Sequence, residues 1–314
     1  MTDAPRDPAA QGQERTGVGV AAILGAAFCT SLSGILIRSV EEADGWQILF
    51  WRSIACIATM LVFILWRHGA KAGDAFLRIG RTGLWLALCQ ASAFIFFIFA
   101  MLHTTVANVA FTVGMAPLFA ALLAWLLLRE RITRRTAILI ALSLVGIGLM
   151  FGDGVAAGTL AGNVLALATC LFYSATIVLL RGGRRVDMIP AVTVAAALSC
   201  IPAAILAPSG LAIGSRDLIL IGVMGVVQLA LQYILFTAGV RHLPAAQAAL
   251  IGRATVVLTP LWAWLGVGEV PSTVSLAGGG FVLLAVMGQG FTALRRSREA
   301  AADRRRQLSF DQPS

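Results

Sequence analysis

Charge and histidine are scarce in this chain, and each scarcity removes a class of function. Only 12% of the 314 residues are charged while 59% are hydrophobic, too little polar side chain to cover a water-soluble body of this length. Every Asp and Glu lies in a loop, in a tail or at the end of an apolar run, and the three histidines, His68, His103 and His242, stand at run edges far apart in sequence. A membrane-embedded enzyme such as a lipid-group transferase or an intramembrane hydrolase would need acids, bases or a nucleophile clustered at one depth. Nothing in the runs supplies that cluster, so no catalytic residue, metal or cofactor is expected. A nucleotide loop of the G-x-x-x-x-G-K type is also missing, which argues against a primary pump. The cysteines Cys29, Cys56, Cys89, Cys170 and Cys200 all fall inside apolar runs and read as small buried thiols rather than disulfides or metal ligands.

What is present is a series of apolar runs, each long enough to cross about 30 Å of hydrocarbon at about 1.5 Å per residue. They read Gly17 to Arg38, Trp46 to Trp66, Thr82 to Leu102, Thr105 to Leu128 and Thr136 to Phe151, then Thr159 to Leu180, Ile189 to Ala207, Asp217 to Val240, Pro244 to Gly266 and Ser272 to Ala293. The expected fold is all-α and integral to the lipid bilayer, with ten transmembrane helices in two halves, 17–151 and 159–293. Residues 1–16, rich in Pro, Gln and charge, are expected as a disordered tail, and 294–314 as a basic tail. The first run follows Arg6 and Arg15 as a signal peptide would, but it is long for that role and has a counterpart in the second half.

The net charge of +9 does not point to nucleic acid, because the basic residues occupy alternate loops. Arg67, Lys71, Arg78 and Arg81 follow the second run, Arg129, Arg131, Arg134 and Arg135 the fourth, Arg181, Arg184 and Arg185 the sixth, and Arg241 the eighth. The opposite loops carry Glu41, Glu42, Asp44, Asp153, Asp217 and Glu269, with Arg38 and Arg216 as their cations. By the positive-inside rule both termini are expected on the cytoplasmic side of an inner (plasma) membrane.

The two halves are copies. Moved by 139 positions, Ala124, Trp125, Leu126 and Glu130 fall on Ala263, Trp264, Leu265 and Glu269, and Ala91, Ile95, Phe97, His103, Ala107 and Ala110 fall on Ala230, Ile234, Phe236, His242, Ala246 and Ala249. At an offset of 143, Ser31, Leu36, Arg38 and Asp44 meet Ser174, Leu179, Arg181 and Asp187. Duplication leaves this signature. An odd number of helices per half inverts the second half relative to the first, the arrangement in which secondary transporters place a midplane site between repeats. A receptor or scaffold would leave the inverted repeat unexplained.

The pieces Pro117 to Thr133 (PLFAALLAWLLLRERIT) and Pro260 to Ser272 (PLWAWLGVGEVPS), with Phe50-Trp51-Arg52 in the second run, resemble the EamA-type drug/metabolite transporters over roughly 17–293. The resemblance implies a ten-helix carrier that exports amino acids or other small organic metabolites from a cavity lined largely by the third, fourth, eighth and ninth helices. Members often carry a Glu-Pro pair early in the ninth helix; by spacing from Glu269 those places are Thr255 and Val256 here. An importer or bidirectional carrier of a nucleoside, vitamin or organic anion is the alternative.

Arg253 stands near the middle of the ninth run, where a charge costs at least about 2.5 kcal/mol and so must face protein or a wet cavity. It is the first candidate for binding a small-molecule substrate. The structural alternative is that its guanidinium ties down backbone carbonyls near Pro117 of the repeat partner. Gln228 and Gln232 share a face beside Tyr233, and Gln90, Phe94, Tyr173 and Trp262 are further candidates for the lining. Interhelical hydrogen bonding competes with each amide. Arg52, close enough to the outer surface to pair with Glu41, Glu42 or Asp44, is expected to be structural or gating, as are Pro117, Glu130 and Glu269. With no intramembrane carboxylate, uniport or exchange is more natural than strong proton coupling. The glycines Gly146, Gly148 and Gly152 and Gly278, Gly279 and Gly280 read as close helix contacts inside one bundle or between two chains, which leaves monomer and homodimer open.

Overall fold

The computed structural model describes residues 8–130, 132–182, 187–208 and 210–310, which form helices and turns with no strand among them. In the first half α1 (Pro8–Ser31) and α2 (Ser33–Arg38) make one span and α3 (Gly45–His68) the next. A 3-10 turn and the short α4 (Ala72–Leu77) lead to α5 (Gly80–His103), then α6 (Val106–Gly114), α7 (Ala116–Leu128) and α8 (Arg134–Ala156). The second half holds α9 (Leu160–Gly182), α10 (Met188–Leu206), α11 (Ser215–Val223), α12 (Gln232–Gly239), α13 (Ala245–Gly252), α14 (Ala254–Val267) and α15 (Thr273–Phe310). Among the described residues nine helices are long and apolar enough to cross a membrane, and the bent pair α6 and α7 makes a tenth span. Large side chains such as Leu127, Ile205 and Leu284 point outward, as contact with acyl chains requires, and the interface residues Trp66 and Trp85 are exposed.

One expectation changes at the tails. Residues 8–16, expected without structure, continue α1 as helix, because the good helix formers Ala, Gln, Glu and Arg outweigh Gly12 and Pro8 stands at the helix start; residues 1–7 lie outside the described chain. At the other end α15 runs on to Phe310, through most of the basic tail.

Four spans expected as continuous are interrupted, the first only at Leu32 between α1 and α2. The fourth breaks at Met115, where α6 and α7 meet at 42°, since Pro117 near the start of α7 has no N–H to give. The ninth is interrupted at Arg253, whose N–H bonds back only three residues to Leu250 while its carbonyl takes Val256 N–H. Between α11 and α12 the backbone widens to π-helix over Met224–Leu231, a distortion frequent at functional sites.

Three of the acidic residues assigned to one set of loops tie down helix ends and loops. Asp44 caps α3 in a capping box with Gln47. Asp217 accepts the N–H groups of Glu41, Glu42 and Ala43, pinning the loop before α3, and Asp153 accepts from Ser272 and Ser275 to tie α8 to α15.

The fifth and tenth spans, α8 and α15, cross through Gly146 and Gly278, where a Cβ on Gly278 would stand 2.6 Å from the Gly146 carbonyl oxygen. Gly279 takes the ring of Phe111 in the same way, whereas Gly148, Gly152 and Gly280 have open space beside them. Gly146, Gly278 and Gly279 thus make contacts within one bundle. Replacing Gly278 by Val should cost about 1 to 3 kcal/mol through overpacking, and Gly148→Ala should be neutral or slightly stabilising; thermal unfolding in detergent separates the two.

Candidate functional site

A cavity of about 490 Å³ lies between the halves, within the size range of small-molecule sites. Its walls come from the first, third, fourth, sixth, eighth and ninth spans, with Arg52 of α3 and Met188 of α10 as single additions. The first and sixth spans join the four expected helices because they occupy equivalent places in the two repeats, while α8 and α15 supply no described lining residue. Most of the wall is apolar. The lining reaches Ile23, Leu180, Met188 and Phe236, near the span ends that adjoin basic loops.

Arg253 lines this cavity from the interruption between α13 and α14. Its Nε donates to Ala249 O at 3.2 Å and its Nη1 to Gly114 O at 3.3 Å. In a continuous helix Gly114 O would accept Leu118 N–H, but that group bonds Met115 O instead, so the break beside Pro117 frees the acceptor. Gly114 is the position equivalent to Arg253 at the offset of 139. Cavity wall and carbonyl tether, the two readings of Arg253, are therefore both realised, with Nη2 left free of protein acceptors among the described residues.

Arg52 departs from expectation. It makes no ion pair with Glu41, Glu42 or Asp44: Asp44 caps its own helix, Glu41 pairs with Arg216, and the Arg52 side chain, 1% exposed, points into the bundle and lines the cavity. Its guanidinium carbon lies 5.3 Å from the Phe94 ring centroid, a cation–π distance. Two turns into a helix is shallow along the axis, but the direction of the side chain is set by the face of α3 that packs inward, and that face carries Arg52.

Gln90, Phe94, Pro117, Tyr173, Gln228, Gln232 and Tyr233 all line the cavity as well. The buried Oε1 atoms of Gln90 and Gln228 have no protein partner, so neither amide is fully used in interhelical bonding. The π-helical stretch around Gln228 brings it onto the face of Gln232 and Tyr233. Trp262 does not belong to the lining: its Nε1 donates to Ser31 Oγ at 3.0 Å and its ring meets Phe28 edge to face, because helical rotation turns it toward the first span, while Trp264 is 54% exposed. The repeat pairs divide likewise. Thr30 and Tyr173 line the cavity, whereas Ser31 serves Trp262 and Ser174 donates to Ala116 O and Cys170 O.

Glu130 and Glu269 share one backbone role and differ in their side chains. Arg129 and Gly268, equivalent positions, are both left-handed, and the N–H groups of Glu130 and Glu269 reach back to Ala124 O and Ala263 O, closing helix C-termini in the Schellman manner. The Glu269 carboxylate then pairs with Arg38 Nε at 2.8 Å and accepts Val106 N–H at 2.6 Å, while Arg38 Nη2 donates to Thr104 O. This strut joins the ends of the first, third, fourth and ninth spans opposite the Leu180 end of the cavity. Glu130 is exposed. Sequence reasoning missed the strut, the Asn163 bonds to Thr104 and Asn108 and the Gln289 bond to Pro117 O; an Asn or Gln inside an apolar run is a signal that would have found the last two.

Ten spans, two broken helices facing each other at mid-depth and a largely apolar cavity with a few polar groups define the class as a membrane carrier. The chain belongs to the EamA-like transporter family, whose model matches residues 17–152 and again 160–289. It is 26% identical over 269 residues to the pseudopaline exporter CntI of Pseudomonas aeruginosa (strain UCBPP-PA14), covering 83% of this chain and 91% of that one. A protein of known crystal structure, 17% identical, superposes with a TM-score of 0.59 over 89% of this chain and 98% of the other, a likeness of fold alone.

If the Arg38 to Glu269 strut holds one end of the cavity shut, removing its charge should open that end. Glu269→Gln should raise the labelling rate of a cysteine placed at Met101, by a membrane-impermeant maleimide applied from that end, roughly tenfold, the worth of one charged hydrogen bond. Unchanged labelling would leave the strut a passive fastening.

Proposed function

We propose that this transporter exports a small amphipathic metabolite bearing a carboxylate, an amino acid or a related compound, by alternating access around the central cavity. The observation that carries the reading is a fixed cation, Arg253, with a nitrogen free of protein acceptors in a cavity whose described lining holds no carboxylate. A substrate carboxylate suits that cation, because a guanidinium fork holds it through two parallel hydrogen bonds that a lysine ammonium does not reproduce. The apolar remainder of the wall suits the rest of such a molecule. The pseudopaline exporter among the relatives agrees with the outward direction. With no acid among the described lining residues to carry a proton, uniport or exchange suits the cycle better than strong proton coupling.

The state seen here is inward-facing on this reading, with the strut at the outer end and the Leu180 end toward the cytoplasm. Both termini are cytoplasmic and the membrane is the inner one. In a background freed of native cysteines, Ala157→Cys should label only from outside and Lys71→Cys only from inside; the reverse pattern inverts the orientation and the assignment of states.

The site is tested by comparing substrates. Arg253→Lys should lower transport of a zwitterionic amino acid roughly tenfold and Arg253→Ala should nearly abolish it, while the corresponding decarboxylated amine is affected far less. Equal losses for both, in variants that also fold poorly, would reduce Arg253 to its tether on Gly114.

A further inference from the structure

We propose that the substrate is a dicarboxylate, held by Arg253 on one part of the cavity wall and by Arg52 on another. The inference rests on the cavity being the substrate site and adds a second anion subsite to it. Arg52 is the one residue that α3 contributes to the described lining. It is all but fully buried, yet its Nε and Nη2 have no protein acceptor. These two nitrogens form the side-on edge of the guanidinium, whose parallel N–H groups match the two oxygens of a carboxylate. The face of Phe94 is its nearest described partner, and a ring face offsets only a small part of the cost of a buried cation.

The groups between the two arginines make a polar track through an otherwise apolar cavity. The chain has only two tyrosines, and both lie on this track. Tyr233 is within electrostatic range of Arg52 and of Tyr173, and Tyr173 is within range of Arg253. Arg52 comes from α3 and Arg253 from the break between α13 and α14, two separate parts of the cavity wall, and a molecule with an anion at each end answers both cations. The unpartnered Oε1 atoms of Gln90 and Gln228 offer acceptors to a hydroxyl or N–H on the connecting chain. No described lining carboxylate competes for either cation or repels the incoming anion.

The test uses the purified full chain in detergent with the α,ω-dicarboxylates from succinate to adipate and the monocarboxylates from butyrate to hexanoate, measuring dissociation constants and ligand-induced thermal shifts. In the wild-type protein one dicarboxylate length should bind about tenfold or more tighter than the monocarboxylate of equal length, with a maximum along the series because the two cations are fixed. Arg52→Gln should erase that advantage and leave monocarboxylate affinity in place, and Arg52→Lys should retain part of it. Dicarboxylates no tighter than monocarboxylates at every length would overturn the proposal from wild-type protein alone, whatever the variants do. So would an Arg52→Gln protein that loses both series alike. If monocarboxylates bind in an Arg253-dependent way and dicarboxylates gain nothing, the second subsite falls while the first stands; if no carboxylate binds the wild type, both fall.

Discussion

A guanidinium at mid-depth in a bilayer has to be answered by protein, and in this molecule the answer organises the centre of the fold. Arg253 reaches the carbonyl of Gly114, the residue equivalent to it in the other repeat, and that carbonyl is free because the chain breaks beside Pro117. Cation, helix break and cavity are therefore one arrangement. Irregular backbone at membrane depth survives where it lines a cavity or is buried in protein, and both interruptions sit against the cavity that they help to shape.

The repeats agree in backbone and disagree in contacts. Arg129 and Gly268 adopt the same left-handed turn, and the glutamates after them close the same bonds, yet only Glu269 is seen tied to a cation, to Arg38 at 2.8 Å. This asymmetry between the copies is what supports the proposed alternating-access reading. The rigid part of the design lies elsewhere. The fifth and tenth spans stand clear of the described lining and meet through bare glycine backbone, Gly146 on Gly278.

The polar groups of the cavity follow from what apolar surroundings allow. Gln90 and Gln228 keep acceptors unmet in the protein, which is costly unless a ligand or water uses them, and Arg52 does the same with two donors. Buried polar groups in so apolar a chain are expensive, and their convergence on one cavity is what supports the proposed binding site.

From the sequence alone came the ten spans, the two halves, the inversion and the depth of Arg253. Each depends on order along the chain: the length of an apolar run against bilayer thickness, the offset between copies, and the depth of a charge. The lining residues Gln90, Phe94, Tyr173, Gln228, Gln232 and Tyr233 were legible for the same reason, as polar or aromatic groups at similar depth. Tertiary structure decided what depends on rotation about a helix axis and on the neighbour it meets. Trp262 turned to Ser31, Arg52 turned inward to Phe94 rather than outward to the loop acids, and Glu269 found Arg38 and the Val106 N–H. A step of one residue turns a side chain through about 100°, and no run of hydropathy records which way the helix faces.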